Sequence, residues 1–342
     1  MIAFSMSNNS EEKIMPIGGQ AVIEGVMMRS PKRIATAVRR ASGKIEVRVQ
    51  EFESLVQRNK KWNIPILRGA LTLIEVMFLG IKTLQWSADR AMEDQEEKEI
   101  AEGKRKEKSN NKSAAGTWST IVTIAVAFII GLAVFFVLPL YLTTEIFNIE
   151  SQALTFNLVA GIIRISLFIL YVWGISFMSD VRRLFAYHGA EHKTVFAFED
   201  KIRLSPENVQ QYTTYHPRCG TSFVVIVLLI SLLFFAIVDS LIMLWLGKIT
   251  LPIRLLTHLP LIPFVAGLSY EALKASAKNT DNVIVRALIS PGLALQRITT
   301  RTPDNQQLEV SIVALQAALG DDYKDELVDH PEIKSEIVSV LA

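Results

Sequence analysis

Four blocks of the chain are almost free of charge over lengths that match the ~20 helical residues needed to cross a ~30 Å hydrocarbon core. They run from about Trp118 to Leu142, Ala153 to Met178, Ser222 to Leu246 and Leu251 to Ala272. The first carries no charge, the second only Arg164 and the third only Asp239. The fourth holds Arg254, His258, Pro252, Pro260 and Pro263. Proline removes a backbone donor, so this block is expected to be kinked or partly re-entrant. The pattern predicts a mainly α, polytopic membrane protein with four transmembrane helices. Arg164 and Asp239 are costly inside the bilayer unless paired or wet, and they are expected to pair with each other.

The polar stretches divide the rest. Residues 1–60 read as a small β-containing segment: Ile34 to Val38 and Ile45 to Val49 flank Ala41-Ser42-Gly43-Lys44, the pattern of a hairpin. Residues 61–117 hold an apolar-rich helix from Ile64 to Trp86, either interfacial or a fifth membrane-associated segment. Its Arg68 and Glu75 are expected to pair or to meet headgroups. A charged, solvated helix or linker follows over Ala88 to Lys112. Residues 118–178 form spans one and two, 179–221 a polar loop, 222–272 spans three and four, and 273–342 a tail. In that tail Leu308, Ile312, Leu315 and Leu319 keep helical spacing.

Charge orients the spans. Lys104, Arg105, Lys106, Lys108 and Lys112 precede the first. The loop after it has Glu145 and Glu150 and no Lys or Arg, whereas loop 179–221 carries six basic residues, among them Arg182, Arg183 and Arg218. The positive-inside rule then puts that loop and both termini in the cytoplasm, with the protein in the cytoplasmic membrane. Residues 1–15 lack a basic start followed by an apolar run, so no cleavable signal is expected. Composition adds little beyond this. Half of the 342 residues are hydrophobic, the mean hydropathy is +0.30, and a net charge of +2 gives no reason to expect nucleic acid as a partner. The partners expected are the lipid bilayer and a membrane-associated substrate or protein. A single cysteine excludes an internal disulfide.

The chemistry concentrates in loop 179–221. His188, Glu191 and His192 stand at i, i+3 and i+4, which on a helix brings all three to one face with Cβ atoms about 5–6 Å apart. Two imidazoles so placed can share one zinc ion, and His-x-x-Glu-His is the inverted zincin order, with Glu191 as general base. The same loop ends on His216-Pro217-Arg218-Cys219. Three of the five histidines and the sole cysteine therefore lie in one loop. If His188, His192, His216 and Cys219 all bind, the zinc site is closed and structural. If three bind, a position stays open for water and substrate. Glu271, and after it Glu199, are candidate carboxylate ligands of the open form. Arg218 is a candidate for stabilising developing negative charge. Each residue also has a plainer reading: headgroup contacts for the histidines, a buried small apolar group for Cys219.

The runs Ile17-Gly18-Gly19-Gln20-Ala21-Val22-Ile23-Glu24-Gly25-Val26-Met27-Met28-Arg29, His188-Gly189-Ala190-Glu191-His192-Lys193, His216-Pro217-Arg218-Cys219-Gly220-Thr221-Ser222-Phe223 and Pro291-Gly292-Leu293-Ala294-Leu295-Gln296 resemble those of the YqhQ-like bacterial membrane proteins. The resemblance extends from about Pro16 to Leu319. It implies a family of unknown function labelled as predicted metal-dependent enzymes on the same His, Glu and Cys residues. It also suggests that Gly18 to Arg29 is more than a generic hairpin and covers the metal site, with Gln20, Glu24 or Arg29 available to whatever binds there. Three readings follow: a metal-dependent hydrolase at the membrane face, a non-catalytic scaffold with a structural metal, and, from Arg164 and Asp239, a transporter.

Overall fold

Apolar residues on both faces of the N-terminal strands explain where the extramembrane core sits. In the computed structural model, which describes residues 17–104, 114–147, 149–276 and 282–320, strands β1 (Gly18–Val22), β2 (Gly25–Arg29), β3 (Arg33–Arg39) and β4 (Ile45–Glu51) form an antiparallel meander in the order β1-β2-β3-β4. Side chains alternate across a strand. Val26, Met28, Ala35, Ala37 and Val47 therefore point to one core, while Val22, Met27, Ile34 and Val38 point to another. The expected hairpin is β3-β4, with Val38 opposite Glu46. The stretch from Gly18 to Arg29 is itself a hairpin, turning at Ile23-Glu24, where Glu24 holds a left-handed φ of 54°.

Helices cover both faces. On the first lie α6 (Ser179–Glu199) and α11 (Asn305–Leu319), which bury Tyr187, Ala190, Leu308, Ile312 and Leu315. The tail helix is thus a core element rather than a separate appendage. Asp304 caps it: its carboxylate accepts from the Gln307 backbone amide at 2.8 Å, the bond an N-cap residue makes. On the second face α2 (Leu67–Ala101) packs Leu79 and Trp86 against the sheet. This helix runs unbroken from Leu67 to Ala101, so the apolar helix and the charged linker read from the sequence are largely one element. A short α1 (Leu55–Arg58) and a 3-10 turn (Lys60–Trp62) lead into it.

Among the described residues, four helical stretches are long and apolar enough to cross a membrane: Val122–Phe147, Ala153–Ile175, Gly220–Leu246 and Leu251–Ser276. The first comprises the end of α3 (Ala114–Leu132), a π-helical segment (Ala133–Val137) and α4 (Leu138–Phe147); the others are α5, α8 and α9. The fourth continues as a helix through Pro260 and Pro263. Between the α6 unit and α8 lies a one-turn α7 (Pro206–Val209), and α10 (Val283–Thr299) follows the last span. The basic run Arg105 to Lys112, residues 1–16, Lys278 and the tail beyond residue 320 lie outside the described residues.

Arg164 does not pair with Asp239. Its Nε donates to the Phe135 carbonyl in the π-helical segment at 3.0 Å, and its guanidinium lies 4.9 Å from the Phe136 ring. Asp239 is satisfied by three other side chains. Arg254 Nη1 donates to it at 2.6 Å, Asn157 Nδ2 at 2.7 Å, and His258 Nε2 lies 2.8 Å from its second oxygen. Asp239, Arg254 and His258 are all fully buried. The pairing of Arg68 with Glu75 is also replaced. Arg68 grips Glu271 of α9 with two nitrogens, at 2.6 and 2.5 Å. Glu75 instead accepts from the Ser54 hydroxyl and the Leu55 amide.

Candidate metal centre

His188, Glu191 and His192 fall on α6 as their spacing requires, and Cys219 stands at the N-cap of α8, the first residue outside a membrane-spanning helix. The two imidazoles meet edge-on, with ring centroids 4.4 Å apart and planes inclined at 61°. His188 Nε2 lies 3.2 Å from Cys219 Sγ. One ligand atom from each of His188, His192 and Cys219 can be chosen so that all lie within 4.8 Å of one another. A tetrahedral zinc site with Zn–N near 2.0 Å and Zn–S near 2.3 Å has ligand–ligand edges of roughly 3.5 Å. The group is therefore close to the size a metal ion needs.

The hydrogen bonds fix which nitrogens are offered. His188 Nδ1 is 2.8 Å from the Thr299 carbonyl, and His192 Nδ1 is 2.5 Å from the Thr214 carbonyl. A carbonyl oxygen only accepts, so both Nδ1 atoms carry the proton and both Nε2 atoms present lone pairs. Carbonyl partners of this kind orient histidine ligands in metal sites. His192 Nε2 is buried and has no hydrogen-bond partner. An unsatisfied buried nitrogen is costly, and a metal ion is one group that would satisfy it. At Cys219 the Thr221 amide donates to the sulfur at 3.4 Å and the Thr221 hydroxyl lies 3.2 Å away. Placed at a helix N-terminus, the sulfur sits where the helix dipole favours negative charge.

His216 stands outside the group formed by His188, His192 and Cys219, although its Nε2 is also buried without a hydrogen-bond partner. Its ring centroid is 5.6 Å from that of His192. Its Nδ1 accepts from the Arg218 amide at 3.3 Å, which leaves the proton on Nε2, 3.8 Å from Glu199 Oε2. Burial pushes its pKa down, so the neutral ring is favoured. Arg218 pairs with Glu199, and its side chain is 42% exposed, which sets it at the rim. Glu191 is buried, with one carboxylate oxygen 3.4 Å from His192 Nε2. Glu271, expected as a carboxylate ligand, is held by Arg68 instead.

The N-terminal hairpin reaches this centre through its backbone. A Cβ at Gly19 would lie 2.7 Å from Glu191 Cγ, so only glycine lets β1 pass this close. Its polar side chains lie elsewhere. Glu24 binds Arg183 on α6, Arg29 lies 4.2 Å over the Phe52 ring, and Gln20 sits against Gly80 of α2.

Other groups that build the centre carry no sequence signature of their own. Gln296 of α10 holds His216 by both ends of its amide, accepting from the His216 nitrogen at 2.7 Å and donating to its carbonyl at 2.8 Å. Lys193 donates to the Gln210 and Tyr212 carbonyls and so ties down the loop that supplies Thr214. Burial lowers its pKa. At Gly189 a Cβ would run into the Arg301 carbonyl, so this glycine lets the Thr299–Arg301 segment approach α6.

A bundle of four membrane-length helices, joined to a sheet-and-helix unit with a His-His-Cys cluster at their junction, defines the class: a polytopic membrane protein with a candidate metal centre. The chain belongs to the family described as Protein of unknown function (DUF1385), whose model matches residues 64–321. It is also 32% identical over 312 residues to the Uncharacterized protein YqhQ of Bacillus subtilis (strain 168), covering 89% of this chain and 92% of that one. No solved structure matches it.

Proposed function

We propose that this protein is a metal-dependent hydrolase of the cytoplasmic membrane. Zinc would be held by His188, His192 and Cys219, with both termini and the polar domain in the cytoplasm. The observation that carries the reading is the convergence of two carbonyl-oriented imidazoles and one helix-capping thiol, with His192 Nε2 buried and unpartnered. Imidazole and thiolate donors together suit zinc. Three protein ligands leave one position open, the stoichiometry of catalytic zinc sites.

A bound zinc would supply Lewis acidity to a carbonyl or phosphoryl group. Glu191 then acts as the base that takes a proton from attacking water. Its buried carboxylate beside His192 fits that role. Arg218 at the rim would meet negative charge on the substrate. Because Cys219 caps a membrane-spanning helix, the substrate class is a lipid headgroup or a peptide segment close to the membrane.

The scaffold reading keeps one observation in its favour: His216 stands next to His192, and a change in its ring orientation would close the site. Elemental analysis of protein purified without a histidine tag separates the two. The hydrolase reading expects about one zinc per chain, lost in His188→Ala, His192→Ala and Cys219→Ala and retained in His216→Ala. Loss in His216→Ala as well supports a closed structural site. Metal-free protein in every sample, even after zinc is offered, overturns both.

A further inference from the structure

The first half of α2 sorts its side chains in the reverse of a water-facing helix. Gly69, Gly80, Thr83 and Ser87 are the buried positions. Ile74, Met77, Phe78 and Leu84, at i, i+3, i+4 and i+10, are exposed, Phe78 to 64%. Small residues face the protein and large apolar ones face outward, the arrangement of a helix whose outer surroundings are lipid. The pattern stops near Trp86. Farther along, the charged residues Arg90, Glu93 and Asp94 join Arg40 and Glu46 in a network of ion pairs with the sheet.

The position of this face agrees. At Gly69 a Cβ would lie 2.8 Å from the Gly267 carbonyl and from Tyr270 Cβ, so α2 begins in backbone contact with the fourth membrane-length helix. The Arg68–Glu271 pair locks that crossing. The apolar face is therefore continuous with a helix that itself meets lipid. Just before it, the turn Lys60–Trp62 presents two exposed lysines beside a half-exposed tryptophan, with Arg58 one turn earlier. An aromatic ring flanked by cations is the usual anchor at a headgroup layer.

We propose that residues 55–86 form a foot seated in the interfacial layer of the bilayer. Its apolar face contacts acyl chains, and Arg58, Lys60 and Lys61 contact anionic headgroups. The foot clamps the sheet-and-helix domain, and with it the His188–His192–Cys219 cluster, against the membrane surface. The occupant of the face is lipid, not a second protein.

Two methionines on the same helix supply the test. Met77 is 50% exposed and Met92 58%, so in water they would oxidise at similar rates. The full chain is placed, one copy per disc, in nanodiscs of phosphatidylcholine and phosphatidylglycerol. It is then pulsed with hydroxyl radicals, and each methionine sulfoxide is read by peptide mass spectrometry. Oxidation at Met77 is expected to be roughly tenfold slower than at Met92, because a lipid-covered thioether is inaccessible to the oxidant. A Lys60→Glu/Lys61→Glu variant is expected to bring the Met77 rate back toward that of Met92. Equal rates at the two positions in the unaltered protein would overturn the proposal. Protection of Met77 only in discs holding two copies would overturn it in favour of self-association.

Discussion

His188 Nε2 lies 3.2 Å from the sulfur of Cys219, although 31 positions separate the two residues in the chain. The contact joins the middle of α6 to the N-cap of α8, so one histidine ties the extramembrane unit to a membrane-length helix. A thiol bound to metal and a thiol merely hydrogen-bonded to an imidazole differ in reactivity. Removal of metal with a chelator is expected to speed maleimide alkylation of Cys219 by roughly tenfold or more, since the freed sulfur beside His188 becomes available as a nucleophile. Equal rates with and without chelator would show that the sulfur is not a ligand.

Gly189→Ala tests the support of the cluster. In an exposed helix this change would stabilise by about 1 kcal/mol. Here the added Cβ collides with the Arg301 carbonyl and pushes the Thr299 carbonyl away from His188 Nδ1. Loss of such an outer partner lowers metal affinity by about 10–100-fold. Competition with a zinc-binding dye reads the change. Unaltered affinity would mean that Thr299 does not orient His188.

Gln296→Leu removes the clamp on His216: the His216 backbone amide loses its acceptor, and its carbonyl keeps only the Cys219 amide, at 3.3 Å. A buried amide left without a partner costs about 1–3 kcal/mol. The melting temperature in detergent is expected to fall by several degrees. A melting curve that coincides with that of the unaltered protein would show that water or another group replaces the carboxamide.

Within the membrane-length helices, Arg254→Met leaves the Asp239 carboxylate buried without its cation. Breaking one side of such a pair costs about 3–5 kcal/mol, whereas replacing both partners with apolar groups is far milder. Thermal unfolding is therefore expected to rank Arg254→Met as less stable than the double variant Asp239→Leu/Arg254→Met. The reverse order would show that the Asn157 and His258 contacts alone carry Asp239.

The sequence reveals some of these features and hides others for physical reasons. Membrane-length helices are a local signal, so all four were legible. The pairing of His188 and His192 was legible too, because helical spacing alone sets it, and the crowding of histidines and cysteine into one loop pointed to Cys219. Partners that depend on how helices are set against each other were not. Charge alone matches Asp239 to Arg164, which is the sole charge in the second apolar block, but Arg254 and His258 lie one helical turn apart on α9 and reach it first. Glu271 reads from the sequence as a free carboxylate because nothing local marks Arg68 as its partner. The carbonyls of Thr214 and Thr299 were invisible for a simpler reason: every residue has a carbonyl, and only the fold selects which one faces a histidine.

The most direct measurement of the central claim is zinc K-edge X-ray absorption on the full-length protein. The His188–His192–Cys219 site predicts one sulfur neighbour at about 2.3 Å, imidazole scattering from two rings, and a light-atom fourth neighbour at about 2.0 Å. A spectrum without a sulfur shell, or protein that takes up no zinc at all, would contradict it.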